Sequence, residues 1–184
     1  MARRPDAPPK PLTADRLRKA ALAYLERYAA STEQLRRVLV RRLNRAAAAG
    51  VAEVGPADIE AELARLTRAG LLDDAAFAQM KAGSLARRGR SRRGIGMALR
   101  RLGVGSEGEA ALAGLDEDPS AELARAAAFA RRRRLGPFRA PGERAERRQR
   151  DLAALGRQGF ALAVARQVVE AADPAALEAL LAGD

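Results

Sequence analysis

The stretch from Gly70 to Leu85 has the sequence GLLDDAAFAQMKAGSL, and it contains the end of one helical unit and the start of the next. Gly70 is placed as a helix stop, because glycine readily adopts the left-handed conformation that commonly ends helices. Asp73 and Asp74 then suit a helix start, where carboxylates cap free N–H groups and complement the helix dipole. The apolar face that follows has helical spacing and consists of Phe77, Met80, Ser84 and Leu85. A helical unit therefore restarts here.

Three helices are predicted upstream of this stretch. Thr13 is a candidate cap for the first, whose apolar face consists of Leu17, Ala20, Ala21, Tyr24, Leu25 and Tyr28. Ser31 and Gln34 predict a capping box for the second, whose buried stripe consists of Leu35, Val38, Leu39 and Leu43. The pair Gly55-Pro56 interrupts the chain, and a third helix starts near Asp58 with a face of Ile59, Leu63 and Leu66.

Six helices are predicted after the fourth. Ser91 opens the fifth, and Ser106 with Glu109 predicts a capping box for a short sixth. The seventh begins near Pro119-Ser120 and buries Leu123, Ala127 and Ala130, and the eighth covers residues 143–157. The ninth carries Phe160, Val164 and Val168, and Asp173-Pro174 starts a terminal helix with Leu177, Leu180 and Leu181. Strands are not predicted, so the fold class is all-α.

The charge pattern has the same threefold period. Residues 1–50, 81–105 and 125–150 each carry a net charge of +8, and the segments between and after them carry −4, −6 and −3. We therefore predict three tandem three-helix repeats, each basic in its first helices and acidic near its end. The expected boundaries are a disordered, proline-rich basic leader at 1–12 and repeats at 13–72, 73–118 and 119–184, the last with the terminal helix.

Composition narrows the function. The formal net charge is +11, which favours polyanions such as nucleic acid as partners. The chain has neither cysteine nor histidine, so a thiolate nucleophile, the usual general base and the commonest metal ligand are missing. We expect no enzyme activity and no cofactor. A run of about eighteen apolar residues is also missing, which predicts a soluble, cytoplasmic protein.

Several motifs, in order, resemble those of the RecX family. Gly70 to Asp74 followed by Phe77-Ala78 is similar to the family segment GLLDDxxFA. The segments 21–25 and 31–39 resemble its first and second helices, and Arg93-Gly94-Ile95 with Leu99 to Val104 resembles its middle motif. Leu155 to Phe160 resembles the L-x-R-x-G-F segment of its third repeat.

The resemblance implies an elongated, curved module of three three-helix units. It further implies binding along the groove of the RecA recombinase filament on single-stranded DNA, and we expect the chain to be a monomer. There the family slows ATP turnover and strand exchange, and hinders filament growth or promotes disassembly. Contact with the DNA itself, as opposed to contact through RecA, stays open at this point.

Arginines are the candidate contact residues. A guanidinium group forks onto phosphates or carboxylates, and the segment 81–105 has no acid to neutralise its arginines. The candidate filament or DNA contacts are Arg36, Arg37, Arg41, Arg42, Arg87, Arg88, Arg90, Arg92, Arg93, Arg100, Arg101, Arg131, Arg132, Arg133 and Arg134. Solvated cations on ordinary helix surfaces are the alternative for each of them.

Other conspicuous residues have structural interpretations. Asp73 and Asp74 are expected to cap a helix rather than bind a metal, and Phe77 and Phe160 to anchor the core. Tyr24 and Tyr28 are expected to pack rather than to stack on bases. The alternative function is a helix-turn-helix-like regulator of double-stranded DNA, with the Ser31–Leu43 or Ser91–Leu102 helix in the major groove. No helix has the Asn, Gln and Arg mixture typical of base recognition, which argues against it.

Overall fold

The structure is a computed structural model that describes residues 10–115 and 118–183. Over these residues the chain forms ten α-helices, which confirms the predicted all-α class. They are α1 (Ala14–Leu25), α2 (Thr32–Ala48), α3 (Pro56–Arg68), α4 (Asp74–Arg87), α5 (Arg92–Arg101), α6 (Gly105–Ala113), α7 (Pro119–Arg133), α8 (Pro141–Arg157), α9 (Leu162–Val169) and α10 (Pro174–Ala182). A 3₁₀ turn, Gly136–Phe138, lies between α7 and α8. None of the described helices is long and apolar enough to cross a membrane.

The chain divides into two compact units, residues 1–77 and 78–184, and the division falls within α4. In the first unit α1, α2 and α3 enclose a leucine-rich core that includes Leu17, Leu35, Leu39, Leu63 and Leu66. The apolar spacing predicted for these helices matches that core, because residues three and four apart lie on one helix face.

The second unit has its core between α7, α8, α9 and α10. Its buried residues include Leu123, Phe129, Leu155, Val168 and Leu177. Phe160 is buried as predicted, although it precedes α9 rather than lying within it. The alanines of α7 let its neighbours pack closely, and Ala126 and Ala130 have no solvent exposure.

Hydroxyl caps begin three helices where they were predicted. Thr13 Oγ1 accepts from Arg16 N–H at 3.3 Å, and Ser91 Oγ accepts from Gly94 N–H at 2.9 Å. Ser31 and Gln34 form the predicted capping box, with reciprocal hydrogen bonds of 3.1 and 3.2 Å. These caps confirm that local chemistry sets the starts of α1, α2 and α5.

The capping box predicted at Ser106 and Glu109 is wrong. Helix α6 begins at Gly105 with Val104 as its N-cap, and Ser106 Oγ contacts the Glu107 carboxylate instead. Val104 has no solvent exposure, and Gly103 before it has a φ of 83°. Burial of the valine immediately after this turn starts the helix before the serine can cap it.

The two aspartates at the start of α4 have different roles. Asp73 caps α4 as predicted, because its Oδ1 accepts from Ala76 N–H at 2.8 Å. Asp74 Oδ1 instead accepts from the backbone N–H of Thr32, the first residue of α2, at 2.8 Å. Asp74 therefore stabilises the N-terminus of a different helix, which corrects the prediction that both residues cap α4.

Three residues assigned to buried faces are exposed. Tyr28 is 56% exposed, because α1 ends at Leu25 and the helical spacing that predicts a buried face does not continue to residue 28. Its ring still lies 5.1 Å from that of Tyr24. Met80 on α4 and Leu180 on α10 are each 47% exposed.

The predicted leader ends earlier than Leu12. Leu12 is buried in the core of the first unit, and its N–H donates to Val51 O at 2.8 Å. Its carbonyl oxygen accepts from Glu53 N–H at 3.1 Å, which makes an isolated parallel bridge. Residues 1–9 of the predicted leader lie outside the described residues, as do Asp116 and Glu117 of an acidic segment.

Candidate nucleic-acid interface

A cationic cleft lies in the second unit, and we call it the arginine cleft. It consists of two adjoining cavities, of about 530 and 500 Å³, which share Phe129, Arg132, Arg133 and Gln158. Nine arginines line it: Arg88, Arg90, Arg132, Arg133, Arg134, Arg139, Arg147, Arg150 and Arg157. They come from the α4–α5 turn, the end of α7, the loop that follows α7, and helix α8.

Close packing brings the α4–α5 turn to helix α7. Gly89 in this turn has a φ of 65°, a conformation that favours glycine. A side chain there would also lie 2.7 Å from the Arg125 carbonyl oxygen and 2.9 Å from Phe129 Cβ. Arg132 donates from its guanidinium to the Arg88 carbonyl oxygen. The glycine therefore lets Arg88 and Arg90 reach the arginines of α7.

A second contact joins the start of α5 to the end of α8. Ser91 Oγ donates to the Gln158 carbonyl oxygen at 2.9 Å, in addition to capping α5. A Cβ at Gly94 would lie only 2.0 Å from that same oxygen. Because Gln158 lines both cavities, this contact holds one wall of the arginine cleft in place.

The acidic residue lining the cleft is already neutralised. Asp151 is almost fully buried, and both of its oxygens accept from Arg139, with Nε–Oδ2 at 2.7 Å and Nη2–Oδ1 at 2.8 Å. Oδ2 also accepts from Gly136 N–H at 2.9 Å. Burial raises the pKa of Asp151, but the hydrogen bonds from Arg139 and Gly136 outweigh it and hold the pKa below its usual value. Arg139 is therefore used internally, and the other eight arginines dominate the charge of the cleft.

Known proteins are similar to this chain over most of its length. The chain is 48% identical over 166 residues to the regulatory protein RecX of Myxococcus xanthus, and the match covers 88% of each chain. The chain belongs to the RecX family. It is also 32% identical over 156 residues to the regulatory protein RecX of Agrobacterium fabrum, with 83% of this chain and 80% of that protein covered. A family model described as the second three-helix domain of RecX matches residues 73–107.

The fold of a solved RecX structure is also similar. A crystal structure of a regulatory protein RecX superposes with a TM-score of 0.59 and covers 85% of this chain and 71% of that one. The two sequences are 20% identical over the match, so this likeness concerns the fold alone.

Five of the arginines predicted as contacts come together in the arginine cleft: Arg88, Arg90, Arg132, Arg133 and Arg134. They come from two clusters about forty positions apart in the sequence. Arg87 is exposed at the end of α4. Arg131 does not line the cleft. Its guanidinium pairs with Glu178, and its Cζ lies 5.6 Å from the centroid of the Phe138 ring.

Arg92 has a structural role in the second unit. Its guanidinium donates to the carbonyl oxygens of Leu112 and Leu115, at 2.7 and 3.1 Å, and so holds the end of α6. Arg93 and Arg100 line a separate cavity of about 520 Å³ with Arg92, and Arg101 is exposed at the end of α5.

The predicted arginines of α2 lie in the first unit. Arg36 binds Glu60 through two hydrogen bonds of 2.8 and 2.9 Å and Glu33 through one of 2.6 Å. These bonds, the Glu60 pair first, raise the pKa of Arg36 above its usual range. Arg37 also pairs with Glu33, at 2.7 Å, whereas Arg41 and Arg42 are exposed.

Four further cleft arginines were missed from the sequence: Arg139, which pairs with Asp151, and three arginines of α8. Arg147, Arg150 and Arg157 lie on α8 at spacings of three and seven residues, which place them on one helix face. The eighth helix was predicted over nearly the same residues, so this spacing could have identified them. The densest runs of arginine occur at 87–93 and 131–134, whereas the arginines of this α8 face are separated in the sequence.

Proposed function

We propose that this chain regulates a RecA-type recombinase by binding its filament on single-stranded DNA. In that complex it reduces ATP hydrolysis, strand exchange and filament growth. Membership of the RecX family, whose relatives above carry the name regulatory protein, supports the regulatory part. The arginine cleft is the single observation that supports a direct contact with the DNA backbone.

The chemistry of the cleft suits phosphates. The acid in the described lining, Asp151, is already paired with Arg139, so the other eight arginines create a strongly positive potential. Each guanidinium presents forked donors to a phosphate. Within the described residues, Arg90 also has an unsatisfied hydrogen-bond donor in the lining of the cleft. Its Nε is buried and has no hydrogen-bond acceptor among residues 10–115 and 118–183. Since buried donors are normally paired, an oxygen-rich ligand would satisfy this group.

The cleft is suited to backbone contact rather than base recognition. Its apolar residues include a single aromatic side chain, Phe129, which is buried in the core of the second unit. Stacking of successive bases requires exposed aromatic platforms. We therefore propose that the cleft follows the phosphates of the filament DNA while other surfaces contact recombinase subunits. Bridging of adjacent subunits would hold the filament in a state poor in ATP hydrolysis and growth.

A matched pair of triple variants tests the proposal. R133Q/R150Q/R157Q removes three exposed cleft arginines, and R27Q/R68Q/R166Q removes three exposed arginines elsewhere. The two variants therefore have the same net charge. The measurement is the ATPase rate of the cognate recombinase on single-stranded DNA, with each protein titrated in at near-physiological salt.

The wild type and the control triple should lower the ATPase rate with increasing concentration, and the cleft triple should require a concentration roughly tenfold higher or more. An unrelated DNA-dependent ATPase should not respond. Equal inhibition by the two triples would refute the role of the cleft but not the regulatory function. No inhibition by the folded wild type would refute the regulatory function, and sequence-specific duplex binding without the recombinase would then favour the helix-turn-helix alternative.

A further inference from the structure

The first unit contains a groove of a different chemical character. It has a volume of about 720 Å³ and is formed by α1, α2, the segment 10–12 and Val51. Its floor is aliphatic, with Leu12, Ala20 and Ala46 belonging to or packing on the core beneath. Cations form its rim. This combination differs from the arginine cleft, where polar groups make up most of the surface.

Helices α1 and α2 line the groove with the same pattern. Helix α1 contributes Arg16, Lys19, Ala20 and Ala23, and α2 with its C-cap contributes Arg42, Arg45, Ala46 and Ala49. Each set has the spacing i, i+3, i+4, i+7, which is one helix face. In both sets two cations are followed by two alanines. The small alanines leave room between the helices, and the long cationic side chains border that room.

The charge on the rim has one sign. Five cations line the groove, and none of the described residues in its lining is acidic: the cations are Lys10, Arg16, Lys19, Arg42 and Arg45. Lys19 pairs with Asp15 on α1 at 2.9 Å, and Arg16 donates to the Pro11 carbonyl oxygen. The side chains of Lys10, Arg42 and Arg45 are exposed and make no ion pair or hydrogen bond within the described chain.

We propose that this groove binds an acidic amphipathic helix of a protein partner. The apolar face of such a helix would cover the aliphatic floor, and its carboxylates would meet the cationic rim. Nucleic acid fits less well, because the phosphates proposed to bind the arginine cleft would gain nothing from the aliphatic floor of this groove. The inference concerns the first unit alone and goes beyond the proposed contact of the arginine cleft with DNA.

The probe is a fluorescein-labelled peptide of about eighteen residues, with leucines at helical spacing on one face and glutamates on the flanks. A second peptide has the same composition in scrambled order, and a third has glutamine in place of glutamate. An oligothymidylate and vesicles of anionic phospholipid serve as competitors. Fluorescence anisotropy with the full chain gives the affinity without any recombinase, so this test is independent of the proposed regulatory function.

Two kinds of variant locate the binding. R42E/R45E reverses the rim charge, and R27E/R68E makes the same change at exposed positions of the first unit outside the groove. Ala23→Leu fills the groove at an exposed position of α1, and Ala64→Leu is its counterpart at an exposed position of α3. Circular dichroism and thermal unfolding check that each variant is folded.

The acidic amphipathic peptide should bind the wild type, R27E/R68E and Ala64→Leu equally. R42E/R45E and Ala23→Leu should each bind it roughly tenfold more weakly or worse, and the scrambled and glutamine peptides should also bind weakly. The proposal is overturned if the scrambled peptide binds as tightly, or if folded wild type does not bind the amphipathic peptide. Displacement of the peptide by the oligonucleotide or the vesicles at lower concentration would assign the groove to that ligand instead.

Discussion

Arg139 and Asp151 form a bidentate pair in the lining of the arginine cleft, with N···O distances of 2.7 and 2.8 Å. The Asp151 side chain is 1% exposed and that of Arg139 is 21% exposed. Asp151 also accepts from Gly136 N–H, so one carboxylate ties the 3₁₀ turn and Arg139 to helix α8. The pair therefore organises the loop that carries the chain from α7 to α8 and forms one wall of the cleft.

Loss of the Asp151 carboxylate should destabilise the protein. In Asp151→Asn the Arg139 guanidinium keeps its charge but loses its bidentate acceptor, and breaking a buried pair in this way costs about 3 kcal/mol. Urea unfolding at neutral pH measures the free energy of unfolding. Glu143→Gln is a suitable control, because Glu143 is exposed and lies 3.9 Å from Arg139. It should change the free energy of unfolding by less than about 1 kcal/mol. An equal loss in both variants would show that the bidentate pair stabilises the protein no more than the exposed Glu143 does.

The contribution of Asp151 should also depend on pH. The pKa of its carboxyl is lowered in the folded protein, so the unfolded chain binds the proton more readily. The stabilisation is thus complete above the unfolded pKa of about 4 and is lost as the pH falls through the lower folded value. The stability difference between wild type and Asp151→Asn should shrink as the pH is lowered from about 5 to 3. A difference that stays constant over this range, measured by urea unfolding, would contradict the assignment.

The contact between Gly94 and Gln158 predicts opposite effects for two glycine substitutions. Gly94→Ala would place its Cβ 2.0 Å from a backbone oxygen, and the displacement should cost about 3 kcal/mol of unfolding free energy. Gly156→Ala lies in α8 with nothing within 4 Å, so it should stabilise the protein by about 0.5 kcal/mol through helix propensity. Thermal unfolding measures both. A neutral Gly94→Ala would mean that α5 and α8 do not pack as closely as the structure shows.

Ser91 should contribute more to the free energy of unfolding than an ordinary helix cap does. Thr13→Ala removes a half-exposed cap and should cost about 1 kcal/mol. Ser91→Ala also removes the donor to the Gln158 carbonyl oxygen at a fully buried position, so it should cost about 2 kcal/mol or more. Urea unfolding of the two variants side by side gives the comparison, and equal losses would indicate that the long-range bond adds nothing.

Most of the fold could be predicted because its signals are local. Thr13, Ser31 and Ser91 each precede a helical apolar pattern, and each caps the helix that was predicted. The errors arise where distant packing decides. Asp74 lies next to a predicted cap, but its hydrogen-bond partner is Thr32, 42 positions away. Nothing in the local pattern at Ser106 indicates that burial of Val104 starts α6 earlier.

The arginine cleft was less predictable than the helices, because it depends on which arginines the tertiary fold brings close together. The sequence identifies the clusters at 87–93 and 131–134, but the lining of the arginine cleft depends on the close approach at Gly89 and on the turn at Gly136. The density of arginines in the sequence also does not distinguish the members of one cluster from each other. The structure separates Arg92, which holds the end of α6, and Arg131, which pairs with Glu178, from neighbours that line the cleft.

The salt dependence of DNA binding should report directly on the arginine cleft. Each phosphate neutralised on single-stranded DNA releases counterions, so the slope of log K against log salt steepens by about 0.7 per contact. If Arg133, Arg150 and Arg157 each contact a phosphate, R133Q/R150Q/R157Q should flatten the slope for an oligothymidylate by about 2. The control triple R27Q/R68Q/R166Q has the same net charge and should keep the slope of the wild type. Fluorescence anisotropy titrations at several salt concentrations give the three slopes. Similar flattening in both triples would indicate a response to net charge alone, whereas flattening confined to the cleft triple would require that these three side chains meet the DNA backbone.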